Sequence, residues 1–415
     1  MMRPASIGTP SRAWRFGLCA ALCWPVLSCG GGGGGHGGVA SGGSTPTGSN
    51  VADVVVDAGP TSASPDVNTL FTTVTVCVPG SATNCQTIDH IQVDTASFGL
   101  RILAPVLTLS LPVQTTASGA ALVECTQFVG AYSWGPVALA DVQISGESAG
   151  SVPVQIIGDA NFTKVPADCS GTGTAEDTVA AFGANGILGV GVFAQDCGSS
   201  CANAAVPATY YACTSTLCQA TAVALASQVQ NPVTLFAKDN NGVVIQLPSV
   251  AAQGAAAVSG FLIFGIDTES NNKSGSQTVL TVDSNAGYFT TAFNTQSLTK
   301  SFLDTGSNAL YFQDTGLTAC TSTNFTGFFC PINPQSLSAV LQGQNGMSAS
   351  VDFTVGDAET LGGNDPSLVA FPTLAGTYPM ADTFDWGLPF YYGRTVYTAV
   401  ENAATAVGTG PYVAF

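Results

Sequence analysis

Behind Arg3, Arg12 and Arg15, an apolar run from Phe16 to Leu27 opens the chain. It is too short to span a bilayer as a mature helix, and basic residues followed by such a run are the pattern of an export signal that is removed. Residues 1–28 are therefore read as a signal peptide. From Gly30 to Asn50 the apolar positions nearly vanish into Gly, Ser and Thr, a composition that predicts a flexible tether over 29–50. Beyond it come short runs of β-branched and aromatic residues, such as Leu70 to Val76, Val152 to Ile157 and Tyr288 to Phe293, which predict strands. Phe and Tyr are scattered at β spacing and read mostly as core. Lys, Glu and Arg, the usual surface of helices, are scarce, so an all-β fold is expected. The roughly 365 residues after the tether exceed what one hydrophobic core usually serves. Two β lobes, 51–240 and 241–415, are the expectation.

The end of the signal changes the picture of location. Val26-Leu27-Ser28-Cys29 resembles a bacterial lipobox, which makes Cys29 the lipidation site, and Gly30 after it fits outer-membrane sorting. The expected product is exported and lipid-anchored, periplasmic or surface-facing, and monomeric, with the lipid its sole membrane contact. Formal charge is -17. The signal carries three of the basic residues and none of the acidic ones, which leaves about -20 on the remainder. That charge disfavours nucleic acid and anionic headgroups as partners. Ten cysteines follow Cys29, at 77, 85, 125, 169, 197, 201, 213, 218, 320 and 330. An even count in an exported chain predicts up to five disulfides. Close spacing pairs Cys77 with Cys85 and Cys320 with Cys330, while the 197–218 cluster allows local or nested pairing. Irregular spacing and the lack of nearby His argue against zinc, and no metal or cofactor is expected. His36 is read as incidental to the tether and His90 as a strand-end residue.

One segment recurs after 210 positions with the same order of side-chain types. Val93-Asp94-Thr95-Ala96-Ser97-Phe98-Gly99-Leu100-Arg101-Ile102 aligns with Leu303-Asp304-Thr305-Gly306-Ser307-Asn308-Ala309-Leu310-Tyr311-Phe312. Each copy follows a β-rich run, so each Asp is placed at a turn after strands. Hydrophobic-Asp-Thr-Gly-Ser, once per lobe, resembles the signature of pepsin-like aspartic peptidases. Asn185 to Gly191 resembles that family's hydrophobic-hydrophobic-Gly segment. Gly260 to Asp267 resembles the strand opening the second lobe, and Trp386 to Phe415 the closing strands. The likeness spans about residues 68 to 415.

The resemblance implies a bilobal β fold with a cleft that binds an extended peptide or unfolded protein. It assigns Asp94 and Asp304 as the catalytic pair. Two carboxyls at hydrogen-bonding distance cannot both ionise cheaply, so they share a proton. The ionised one takes a proton from a water, the protonated one polarises the peptide carbonyl, and no covalent intermediate forms. Thr95 and Thr305 would tie the two loops together, and Ser97 and Ser307 would bond the outer carboxyl oxygens. Small residues at Ala96 and Gly306 would let the backbones approach. A flap hairpin is expected from about Ala121 to Ile144, with Phe128 where the family usually has Tyr.

Three further departures stand out. Ala96 replaces the usual Gly, Arg101 occupies a position commonly held by Trp, and Asp385 interrupts the second hydrophobic-hydrophobic-Gly. These features support an alternative from a different class, a non-cleaving surface lipoprotein that binds peptides or a protein partner in the same cleft. Asp177-Thr178, Asp267-Thr268 and Asp382-Thr383 lack the small residue that must follow and are read as surface turns. Gly146-Glu147-Ser148-Ala149-Gly150 matches the elbow of serine hydrolases. That chemistry needs a helix next and a later His, whereas a strand pattern follows and no His lies beyond His90, so it is read as a hairpin turn. The Gly-rich runs lack the Lys and the strand-loop-helix setting of a phosphate cradle.

Overall fold

The computed structural model describes residues 45–63 and 66–415; the signal, Cys29 and His36 lie outside the described residues. The chain is all-β, and its longest described helix, Ala358–Asn364, has seven residues. No helix among the described residues is long and apolar enough to cross a membrane. The expected tether stops short of Asn50. That residue is buried, donates through Nδ2 to Phe264 O and bonds Asn271, while Asn271 Nδ2 also reaches Thr47 O.

Among the described residues two sheets carry the structure, one of sixteen strands and one of seven, beside a two-stranded ribbon. The larger runs through both halves of the sequence. Its hinge is the first strand, Val51–Val56, which pairs antiparallel with Leu70–Cys77 on one side and with Val258–Phe264 on the other. From there it continues through Gly242–Gln246 and Thr395–Ala399 to Tyr412–Ala414. Core side chains such as Val54, Leu70, Ile91, Leu100, Val154, Leu262, Phe264, Phe289, Phe312 and Trp386 form one contiguous cluster across both halves. Alternation of inward and outward positions along these strands is what the dyad period of a half-buried strand requires.

Two corrections concern the approach to the repeated motif. The strands that end at the aspartates are Cys85–Asp94 and Gln296–Leu303, not the runs from Leu70 or Tyr288, which pair beside them. Polar residues such as Gln86, Thr87, Asp89, Gln296, Ser297 and Lys300 broke the apolar pattern there. His90 lies inside its strand rather than at the end. It has positive φ, 47°, at a register shift between the paired strands, and its ring packs edge-on against Phe71 with both ring nitrogens 3.4 Å from Asp carboxylates, Asp57 and Asp89.

Glu147–Ile157 is a strand and Ser145-Gly146 turns the chain into it, so Ser148 stands on a strand and not on an elbow. Thr178 caps a short helix by accepting from Ala181 N, and Asp267 and Asp382 adopt left-handed turns. Five disulfides close among the described residues. Cys77–Cys85 and Cys320–Cys330 pair as spacing suggested, Cys197–Cys201 and Cys213–Cys218 resolve the open cluster locally, and Cys125–Cys169 is the long-range one.

Candidate active site

Each aspartate is placed by the same three-strand arrangement. Cys85–Asp94 runs parallel to Gly186–Val190, which runs antiparallel to Phe98–Leu103. In the second copy Gln296–Leu303 runs parallel to Phe384–Trp386, which runs antiparallel to Leu310–Phe312. The strand leaves the motif and returns past its own partner, which leaves the Asp-Thr loop between two strands. Gly189 and Gly387 are where those partners cross. A side chain there would meet Phe98 N at 2.4 Å or Ala309 O at 2.1 Å, so only glycine lets the crossing strand pass.

The two loops face each other and exchange bonds in a reciprocal pattern. Thr95 Oγ1 donates to Leu303 O at 3.0 Å and accepts from Thr305 N at 3.1 Å. Thr305 Oγ1 donates to Val93 O at 2.7 Å and accepts from Thr95 N at 3.2 Å. Tyr391 OH adds a bond to Thr95 Oγ1 at 2.9 Å, and Gln92 Nε2 donates to Gly306 O at 3.1 Å. All of these groups are buried, where each unmade bond is costly, so the two loops are fixed relative to each other.

This brings Asp94 and Asp304, 210 positions apart, to one point. A Cβ added at Gly306 would lie 2.8 Å from Asp94 Cγ and 2.9 Å from Asp304 Oδ1. Both aspartates are wholly buried. Ala96 N donates to Asp94 Oδ1 and Gly306 N to Asp304 Oδ1, each at 2.7 Å. Burial raises the Asp94 carboxyl, and Ser97, Ala96 and the shared contact with Asp304 oppose it. Burial raises Asp304 well above the ordinary carboxyl range, with the charges of Asp94 and Asp385 pushing the same way. Two buried carboxyls this close cannot both ionise cheaply.

The serines differ. Ser307 Oγ lies 2.9 Å from Asp304 Oδ2. Ser97, expected to match it, closes no well-aligned bond: its Oγ and Asp94 Oδ2 are both buried without a protein partner, although they are close enough for the hydroxyl to favour the ionised carboxyl. The small residues differ too. Where Gly306 abuts the carboxyls, Ala96 packs against the cluster that includes Val67, Phe302 and Tyr311 and borders a cavity of about 40 Å³ lined by Phe98, Val192, Tyr288, Phe302 and Val413.

Asp385 was read as an interruption of an apolar segment. It is instead part of the site, wholly buried on Phe384–Trp386 with Oδ2 2.6 Å from Ser307 Oγ. A charged residue in a run of otherwise apolar and aromatic neighbours, Phe384 to Tyr392, was the signal that could have found it. Gln92 and Tyr391 carried no comparable signal.

The hairpin of Ala121–Phe128 and Ala131–Ile144 turns at Val129-Gly130. Phe128 stands at its tip, and its ring is held in a buried cluster with Phe71, Leu103, Ile157 and Phe182. Arg101 is fully buried and serves that same hairpin. It bonds Glu124 Oε1 at 2.6 Å, Thr126 Oγ1 at 2.9 Å and Asp196 Oδ2 at 3.2 Å. Burial alone would lower Arg101, but Glu124 and Asp196 outweigh it and hold the guanidinium above its usual range. Among the described residues, Cys320, Cys330 and Glu359 come within 4.8 Å of one another. Their sulfurs are joined in a disulfide, and Glu359 accepts from Thr321 N and Ser322 N, so this group is not a ligand set.

The chain belongs to the family described as Protein of unknown function (DUF3443), whose pattern matches residues 46–415. No curated protein matches the sequence.

Proposed function

We propose that this DUF3443 member is an aspartic endopeptidase of bilobal, pepsin-like type, hydrolysing peptide bonds with Asp94 and Asp304 as the carboxyl pair. The observation that carries the reading is the meeting of two buried carboxyls on reciprocally bonded loops. One shared proton leaves one member able to accept from a water and the other able to donate to a carbonyl oxygen. Backbone N–H groups from Ala96 and Gly306 hold both carboxyls in place, so the pair is preorganised and needs no covalent intermediate. The lobes follow the two repeats, 51–240 and 241–415, with an extended peptide or unfolded protein between them. Five disulfides fit export to an oxidising compartment, and Cys29 would anchor the protein by lipid at the outer membrane.

The complete burial of Asp94 and Asp304 favours the second reading, a non-cleaving lipoprotein that binds peptides in the cleft. One experiment separates them. The mature protein is incubated with an unfolded protein from about pH 3 to about pH 7, with and without pepstatin. Pepstatin-sensitive cleavage that disappears in Asp94→Asn and in Asp304→Asn supports the peptidase. A parent that cleaves nothing across the range leaves the binding reading.

A further inference from the structure

Ser307 has one hydroxyl proton and two carboxyl oxygens within reach, Asp304 Oδ2 at 2.9 Å and Asp385 Oδ2 at 2.6 Å. An ionised carboxylate only accepts. One hydroxyl therefore cannot satisfy both aspartates, and one of the two must bring a proton of its own. The surroundings decide which. Asp304 also receives the Gly306 N–H at 2.7 Å, so a charge on it is bonded by two donors. Asp385 has Ser307 alone, and its Oδ1 is buried with no partner.

The groups facing Asp385 offer nothing to neutralise a charge. They are Asp94 and Asp304 from the motif loops, Tyr311 from Leu310–Phe312, Tyr378, and Tyr391 from the turn after its own strand. Tyr311 OH is committed to Asn308 Oδ1 and Tyr391 OH to Thr95, and Tyr378 OH, buried like Asp385 Oδ1, makes no hydrogen bond to it. None is a cation. A buried carboxylate without a counter-charge takes up a proton instead.

We propose, on the peptidase reading of the site, that Asp385 is a positioning residue: a neutral carboxyl that donates to Ser307 Oγ and so keeps the Ser307 proton on Asp304 Oδ2. The site then holds two protons on three carboxyls, one on Asp385 and one shared by the pair. Ionisation of Asp385 releases its proton to solvent. The Ser307 hydroxyl turns to the nearer Asp385 oxygen, and Asp304 loses a donor while gaining a negative neighbour. The pair still shares one proton, but Asp304 has lost the donor that fixed it, and with it the geometry that separates acid from base. Burial and the Asp94 charge both raise the Asp385 carboxyl, with Ser307 opposing, which is consistent with a neutral group. Asp385 would thus set the alkaline limit of the site.

The test uses the mature protein and Asp385→Asn, whose amide donates like the protonated acid and cannot ionise. Infrared difference spectra of parent minus variant at about pH 7 should show a protonated-carboxyl band that the variant lacks. The absence of that band overturns the proposal whether or not the protein cleaves anything. Where cleavage is observed, Asp385→Asn should move the alkaline limb of the pH profile upward by about one pH unit or more. That shift should vanish in a Ser307→Ala background. Asp385→Leu, which cannot ionise either but removes the donor, should move the limb upward in the same way while lowering kcat. A parental alkaline limb in Asp385→Asn contradicts the proposal, because a purely structural aspartate has no reason to fix it. A parent that fails to cleave but shows the infrared band refutes the peptidase reading and leaves Asp385 protonated as inferred.

Discussion

The two copies of the motif differ at one small residue, and the structure turns that difference into an unequal response to substitution. A methyl at Gly306 would sit 2.8 Å from Asp94 Cγ and 2.9 Å from Asp94 Oδ1 and Asp304 Oδ1, against 3.4 Å or more for ordinary contact. Relief requires the carboxyls to part by roughly half an ångström, and overpacking of this kind costs about 1–3 kcal/mol. Since displacements near 1 Å cost about a hundredfold in rate, Gly306→Ala should lose about 10- to 100-fold in kcat. The mirror change, Ala96→Gly, removes a methyl that packs on the Phe302 cluster and leaves the carboxyls untouched. It should cost about 1–2 kcal/mol of stability, methyl burial and glycine backbone entropy together, with kcat unchanged. Denaturant unfolding reads the stability of both variants, and cleavage of an unfolded protein reads the rate. Gly306→Ala with parental stability and activity, or an equal loss of kcat in Ala96→Gly, refutes the packing argument.

Thr95→Val removes the acceptor of Thr305 N and the donor to Leu303 O, both buried. It should destabilise by about 2–4 kcal/mol in urea titrations, from two orphaned backbone groups. Arg101→Met leaves Glu124 and Asp196 without their shared cation and should cost about 3–5 kcal/mol near neutrality. Burial and then the Glu124 charge already hold Asp196 well above the usual carboxyl range. Its proton binds the folded state more tightly, so the stability it contributes is present at acid pH and lost as pH rises through the folded value. The Arg101→Met loss should accordingly shrink at low pH, and a deficit independent of pH in paired melts would count against it. Among the disulfides, Cys125–Cys169 closes 44 residues and Cys197–Cys201 only four. Replacing the first pair by Ala should cost about 4 kcal/mol and the second about 2 kcal/mol on loop entropy; the reverse order in thermal unfolding would contradict this.

Much of the site's framework could be read from the sequence because it is carried by local pattern. The 210-residue repeat located both aspartates, since a strand-loop of fixed geometry demands small and hydroxyl residues at fixed offsets. Close cysteine pairs could be assigned because a span of eight or ten residues admits few alternatives, whereas Cys125–Cys169 depends on which strands neighbour each other. The strands entering the motif escaped notice because Cys85–Asp94 and Gln296–Leu303 each begin outside the core and go inward only at their ends. Periodicity is lost on a strand whose two halves face different surroundings. Asp385 was visible as a residue but not as a partner, because its meaning lies in the 2.6 Å contact with Ser307, 78 positions earlier.

Buried carboxyls in this acidic chain are handled in two ways, and the contrast separates support from chemistry. Glu124 and Asp196 share Arg101, with Tyr210 OH 2.7 Å from Asp196 Oδ1. One fixed cation meets part of their charge and ties the hairpin strand Ala121–Phe128 to its neighbours, while burial and Glu124 hold Asp196 well above the ordinary carboxyl range. Asp94, Asp304 and Asp385 meet hydroxyls, backbone N–H groups and one another, with no cation among them. Charge there can be balanced only by protons, which move where a guanidinium cannot. A cation placed beside the pair would stabilise both carboxylates as ions and take away the acid half of the chemistry. Among the described residues no Lys, Arg or His faces these three carboxyls, and on the peptidase reading proposed above this would tie the pair to pH rather than to a bound counter-ion.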